Sequence, residues 1–199
     1  MWRNTHVMSY VVKCGPPERL FFFGAQPTSE ADAYYLRVTL GIDAFVNLLP
    51  VTVTPRYMLY FDKPSETEEL MKSVPALFQE AAFPQESLSE QSTTKQMEFY
   101  VTRARRIATY LKEHPRLTCY IHHKSGDREE ALMTFLVWYL LDPATSPHET
   151  LSEWLTEKDY KQVLRDDDDI AFLQSAIQFA KKSGKNTTLT NWLSKKIKR

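Results

Sequence analysis

The chain has 199 residues, 43% of them hydrophobic, with 25 basic and 25 acidic side chains. This length is typical of a single domain with a substantial core, and the balanced charge argues against a globally basic nucleic-acid binder. Two cysteines, Cys14 and Cys119, make no disulfide framework, so we expect a reduced, intracellular setting, cytoplasmic or nuclear. We also expect no membrane span and no signal peptide, because no apolar run has the required length or position.

The first quarter of the chain predicts strands that alternate with a helix. Residues 7–12 suit an edge strand, and residues 20–24 suit the first core strand. Either residue of the pair Thr28-Ser29 can cap the following helix, which Gly41 ends. Residues 42–48 form a short apolar run typical of a buried parallel strand. The alternation predicts an α/β fold with a mostly parallel central sheet flanked by helices.

The middle of the chain is less regular. Residues 56–61 predict a further strand, and Asp62 follows at its end. Residues 66–80 have the apolar spacing of a helix, and residues 83–95 are polar enough for an exposed loop. Residues 96–114 predict an amphipathic helix whose arginines lie off its apolar stripe, on a solvated face.

Residues 117–141 hold the most informative pattern. Residues 117–121 are a short apolar run rich in strand formers, and residues 122–128 are a polar turn that contains Gly126. From there the chain predicts a helix that is apolar on nearly all faces over residues 131–141, so we expect it to be buried. A buried strand, a short polar loop and a buried helix are the parts of a phosphate cradle. Loop N–H groups converge there, and the helix N-terminus adds partial positive charge.

The polar turn of this segment, His122-His123-Lys124-Ser125-Gly126-Asp127-Arg128, resembles the signature loop of the cysteine-dependent protein tyrosine and dual-specificity phosphatases. That loop has His-Cys, five further residues, and an arginine followed by Ser or Thr. Residues 20–49 resemble the opening of the dual-specificity fold: a strand, a Gly-x-Gln-Pro-like turn, a helix, and a strand ending in Asn-Leu. The resemblance covers about residues 18–145. It implies one phosphatase-like domain over residues 1–199, with residues 146–199 as a helical extension.

The loop departs from the family at the residues that carry catalysis. His123 stands where the family has its nucleophilic cysteine, and Arg128 follows five residues later instead of six. Aligned without a gap, Glu129 and Glu130 take the positions of the arginine and of the Ser or Thr. Phosphoryl transfer in this family needs a thiolate. The resemblance therefore implies a catalytically inactive member, a pseudophosphatase.

An anion site can outlast the loss of catalysis, because backbone N–H groups do not depend on the side chain. We expect a phosphorylated protein or another phosphate-bearing ligand at the loop, or else a protein partner at the surface. The anion-binding residues would be His123, Lys124, Ser125, Gly126, Asp127 and Arg128. Acids at the rim of the loop, Asp127 with Glu129 and Glu130, would repel a phosphate or serve the helix N-terminus as intramolecular counter-anions.

Two alternative functions stay open. One is an atypical phosphohydrolase in which His123 or water is the nucleophile, Arg128 grips phosphate and Asp62 is the general acid. Asp62 precedes Lys63-Pro64, so it also suits an ordinary turn. The other alternative is a pure protein-interaction scaffold. No cofactor and no metal is expected, because the adjacent side chains of His122 and His123 tend to diverge.

The C-terminal extension has two charge patterns. Residues 166–169 are four aspartates before a helix predicted over residues 170–181, where acids complement the helix dipole. Binding of a divalent cation or of a basic partner is the alternative role for this run. The tail from residue 181 to residue 199 is basic, holds no acid and has an amphipathic stripe. We expect this tail to dock on the body of the protein. A protein partner or a polyanion, such as a nucleic acid or a membrane surface, is the alternative.

Overall fold

The computed structural model of the chain describes residues 9–14, 19–48, 76–79, 92–123, 128–144, 146, 164 and 167–197. The strand predicted over residues 56–61, Asp62, and the loop positions 124–127 lie outside these residues. No helix in the described part of the chain is long and apolar enough to cross a bilayer.

The strands in the described part of the chain form one five-stranded sheet. Its strands are β1 (Ser9–Cys14), β2 (Arg19–Ala25), β3 (Ala44–Asn47), β4 (Ala76–Gln79) and β5 (Cys119–His123). They lie in the order β1-β2-β5-β3-β4, with β1 antiparallel to β2 and every other neighbouring pair parallel. The prediction of a mostly parallel central sheet is confirmed. The strand β5 lies in the middle, buried along most of its length, as its continuous apolar run predicts.

The helix predicted over residues 66–80 is wrong at its C-terminal end, where the structure has β4. Residues 76–79 pair with β3 in parallel register, from Ala44 opposite Ala76 to Asn47 opposite Gln79. Spacing of apolar residues over so short a run does not separate a strand from a helix. Ladder hydrogen bonds to β3 satisfy the backbone of this segment, and only the folded chain brings β3 within reach.

One face of the sheet is covered by α1 (Glu30–Tyr34), which continues as a π-helical stretch over Tyr35–Thr39. Ser29 caps α1: its Oγ accepts the Asp32 N–H at 3.1 Å, and the Asp32 carboxylate accepts the Ser29 N–H at 3.1 Å. Gly41 has a φ of 66° and reverses the chain before β3. Both local predictions are confirmed. The core on this face consists of Phe22, Ala33, Leu36, Ile42, Phe45 and Tyr120.

In the described part of the chain, three helices cover the other face: α2 (Thr93–Glu113), α3 (Arg128–Leu141) and α4 (Asp167–Ile197). The helix α3 packs on β2 and β5 and also contacts α2 and α4, which explains why residues 131–139 are all buried. A helix surrounded in this way has to be apolar on every face. The predicted buried helix is therefore confirmed. The docking of the basic tail stays a prediction, because the side chains of residues 185–199 are not among those described.

Candidate functional site

The carboxyl ends of three parallel strands meet at the N-terminus of α3. In the register of the sheet, His122 lies opposite Asn47 of β3, and His123 lies opposite Ala25 of β2. The chain leaves β5 at His123 and enters α3 at Arg128. Such an edge, with a helix N-terminus above it, is where α/β sheets usually hold their ligands. The predicted strand and helix are thus both present, and the loop between them lies outside the described residues.

A carboxylate of the chain itself lies at the start of α3. Glu130 is fully buried, and its Oε1 accepts a hydrogen bond of 2.9 Å from the backbone N–H of His123. The backbone N–H of His123 therefore donates to a carboxyl group of the chain itself. A negative charge in the first turn of a helix is also favoured by the helix dipole. Of the two roles predicted for the acids at the rim, that of an intramolecular counter-anion describes Glu130.

Arg128, predicted to grip phosphate, contacts a second internal carboxylate. Its Nε forms an ion pair and hydrogen bond with Asp169 in the first turn of α4, and its guanidinium carbon lies 5.6 Å from the centre of the Phe172 ring. Burial disfavours the charged guanidinium, but the hydrogen bond and the negative charge of Asp169 outweigh burial and raise the pKa of Arg128. Sequence reasoning assigned the aspartate run to the helix dipole and missed this partner.

A buried tyrosine completes the junction of the three helices. Tyr100 of α2 is only 2% exposed, and its ring meets Phe172 of α4 edge to face at 5.5 Å. Burial raises the pKa of Tyr100, and the negative charge of Glu129 raises it further. The phenol therefore stays protonated at neutral pH. Sequence analysis did not single out this tyrosine, because a single tyrosine on an amphipathic helix carries no distinct signal.

The histidine that matches the phosphatase signature is an uncharged core residue. His122 is fully buried, stacked on Tyr120 with ring centres 6.0 Å apart and edge-to-face with Phe45 at 6.3 Å. Burial, and then the neighbouring charge of His123, lower the pKa of His122 to about 3. Cys119 is also fully buried, at the opposite end of the same strand, and carries a reduced thiol. Neither residue faces solvent as a nucleophile.

His123 is closer to acidic groups than the sequence suggested. Donor atoms of His123, Glu129 and Glu130 all lie within 4.8 Å of one another. The expectation of no metal considered the pair His122-His123, but the structure places two glutamates beside His123. Among the other predicted site residues, Asp62 and residues 124–127 lie outside the described part of the chain, and their roles stay predictions.

A scan of the sequence against protein-family models matches none, and no curated protein matches it. In fold, the chain is similar to the solved structures of PTPMT1 and of the Siw14 catalytic core. PTPMT1 in complex with PI(5)P is 12% identical, with coverage of 82% of this chain and 94% of that chain and a TM-score of 0.45. A second PTPMT1 structure is 12% identical, with coverage of 83% of this chain and 94% of that chain and a TM-score of 0.46. The Siw14 catalytic core is 12% identical, with coverage of 82% of this chain and 87% of that chain and a TM-score of 0.45. No residue's role is carried over at this identity.

Proposed function

We propose that the protein is a catalytically inactive phosphatase-like protein that acts by binding a protein partner, with its own carboxylates in the place of a substrate phosphate. The observation that supports this proposal is the hydrogen bond from the His123 N–H to the buried Glu130 carboxylate. In an anion cradle this N–H would serve the ligand. In this protein the same N–H donates to the chain's own Glu130.

The groups expected to perform catalysis are poorly suited to it. His123 offers an imidazole where this chemistry needs a thiolate, and it lies next to two glutamates that would repel an incoming phosphate. The Nε of Arg128 already contacts Asp169, so a phosphate would have to compete for the guanidinium. Both arrangements favour an inactive protein over the histidine-dependent phosphohydrolase.

Phosphate binding without catalysis meets the same electrostatic barrier. Two like unit charges 4 Å apart repel by about 4 kcal/mol at the effective dielectric constant of a partly buried site. A phosphate at the start of α3 would approach Glu130 and Glu129, and the internal ion pair leaves Arg128 only partly able to compensate. We therefore favour a protein partner over a phosphorylated ligand.

The test combines turnover with anion-dependent melting. Wild-type protein and His123→Ala are assayed with a generic aryl phosphate, in a chelator that removes metal ions, and melted with phosphate, sulfate and tungstate. We expect no turnover and no anion-dependent rise in Tm. Turnover that is lost in His123→Ala would show a histidine-dependent phosphohydrolase instead. A rise in Tm that is lost in Arg128→Ala would show a phosphate reader.

A second variant is expected to gain the anion binding that the wild type lacks. Glu130→Gln removes the internal charge and keeps the shape of the side chain, so we expect it to show the anion-dependent rise in Tm that the wild type lacks. Glu98→Gln on the exposed surface of α2 makes the same change in net charge and serves as the matched control. An equal response of both variants would mean that net charge, and not the place of Glu130, governs anion binding.

A further inference from the structure

Three potential metal ligands lie close together between the C-terminal end of β5 and the first turn of α3. His123 contributes a ring nitrogen from the end of the strand, and Glu129 and Glu130 each contribute a carboxylate oxygen from the first turn of the helix. These donor atoms lie within 4.8 Å of one another. The return of the chain from strand to helix brings the imidazole beside both carboxylates, although it is six and seven residues away in sequence.

The charge balance at this cluster favours a cation. Glu129 and Glu130 contribute two carboxylates, and the positive charge of the adjacent Arg128 is compensated by Asp169. The N-terminus of α3 opposes a cation with about half a unit of positive charge, which is smaller than the charge of two carboxylates.

The cluster is also partly ordered in advance. Glu130 is fully buried, and the His123 N–H holds one of its oxygens at 2.9 Å. A hydrogen bond that orients a ligating carboxylate reduces the entropy lost when an ion binds. A bound cation would also offset the high cost of an ionised carboxylate in the protein interior.

We propose that His123, Glu129 and Glu130 form a binding site for a first-row divalent transition-metal ion, with Zn²⁺ as the reference ion. An imidazole with two carboxylates suits such ions, whereas Mg²⁺ and Ca²⁺ prefer all-oxygen sites. Three protein ligands leave at least one coordination position for water or for a ligand oxygen. The site goes beyond the proposed function, which assigns no ion to the protein.

The experiment is a titration of the tag-free full chain, stripped of metal, with Zn²⁺ by calorimetry and with Co²⁺ by visible absorption. We expect one ion per chain, with affinity reduced at least about tenfold in both His123→Ala and Glu129→Gln. Glu129 is half-buried and outside the hydrophobic core, so its amide variant should keep the fold. The matched controls are His114→Ala and Glu98→Gln, which remove one exposed residue of each kind.

Each result decides the inference. Loss of binding in both site variants, with binding retained in both controls, supports the site. Absence of Zn²⁺ and Co²⁺ binding by the wild type would overturn it, and so would wild-type affinity in either site variant. Aryl phosphate hydrolysis by the metal-loaded wild type would overturn the proposed inactivity while leaving the metal site in place, so the two proposals fail separately.

Discussion

The buried His122 should make the stability of the protein depend on pH. Its pKa is lowered from 6.5 to about 3, chiefly by burial, so the neutral ring is the form that fits the core. The stability gained from this neutral form is fully present above pH 6.5 and is lost as the pH falls from 6.5 toward 3. Each pH unit in that window removes about 1.4 kcal/mol, so at about pH 4.5 the loss from this residue is about 3 kcal/mol.

The variant His122→Phe isolates this contribution. Phenylalanine keeps an aromatic ring beside Tyr120 and Phe45 but cannot take up a proton. Urea unfolding at about pH 7 and about pH 4.5, with a chelator present, should show that the variant loses about 3 kcal/mol less than the wild type between the two conditions.

A surface histidine provides the control for that measurement. His114 is exposed, so His114→Phe should keep the pH dependence of the wild type. If His122→Phe also loses as much stability as the wild type between the two pH values, the reasoning from burial is refuted.

Three further predictions concern stability, each measured by urea unfolding. Arg128→Ala and Asp169→Ala should show a coupling of about 1 kcal/mol in a double-mutant cycle, a modest value because the arginine is 39% exposed; additive effects would contradict the ion pair. Leu136→Ala should cost about 2–5 kcal/mol, since the side chain is fully buried; a cost below about 1 kcal/mol would contradict this packing. Gly41→Ala should cost about 1–2 kcal/mol because of its φ of 66°, whereas Gly184→Ala in α4 should not destabilise; equal effects would contradict the assigned backbone.

The features that the sequence predicted well depend on contacts between near neighbours. The cap at Ser29, the reversal at Gly41, and the strand and helix within residues 117–141 each follow from a few adjacent residues. The burial of β5 also follows from the sequence, because the apolar run of residues 117–121 is typical of a strand covered on both faces.

The errors and omissions lie where distant segments meet. Residues 76–79 have a helical spacing of apolar residues, but pairing with β3 makes them a strand. Arg128 and Asp169 are separated by 41 residues, so only the packing of α4 against α3 joins them. The sequence predicted Glu130 only as one of three acids at the rim of the loop. The fold shows that its carboxyl group accepts a hydrogen bond from the His123 N–H.

By itself, the sequence determined the α/β class and the buried strand and helix, because side-chain identity and short-range periodicity specify these features. The tertiary structure alone decided how the charges at the site are arranged. In the folded chain Glu130 accepts the His123 N–H, Asp169 pairs with Arg128, and His123 lies beside two glutamates. Charges interact through space and not along the chain, so their partners exist only once the helices have packed.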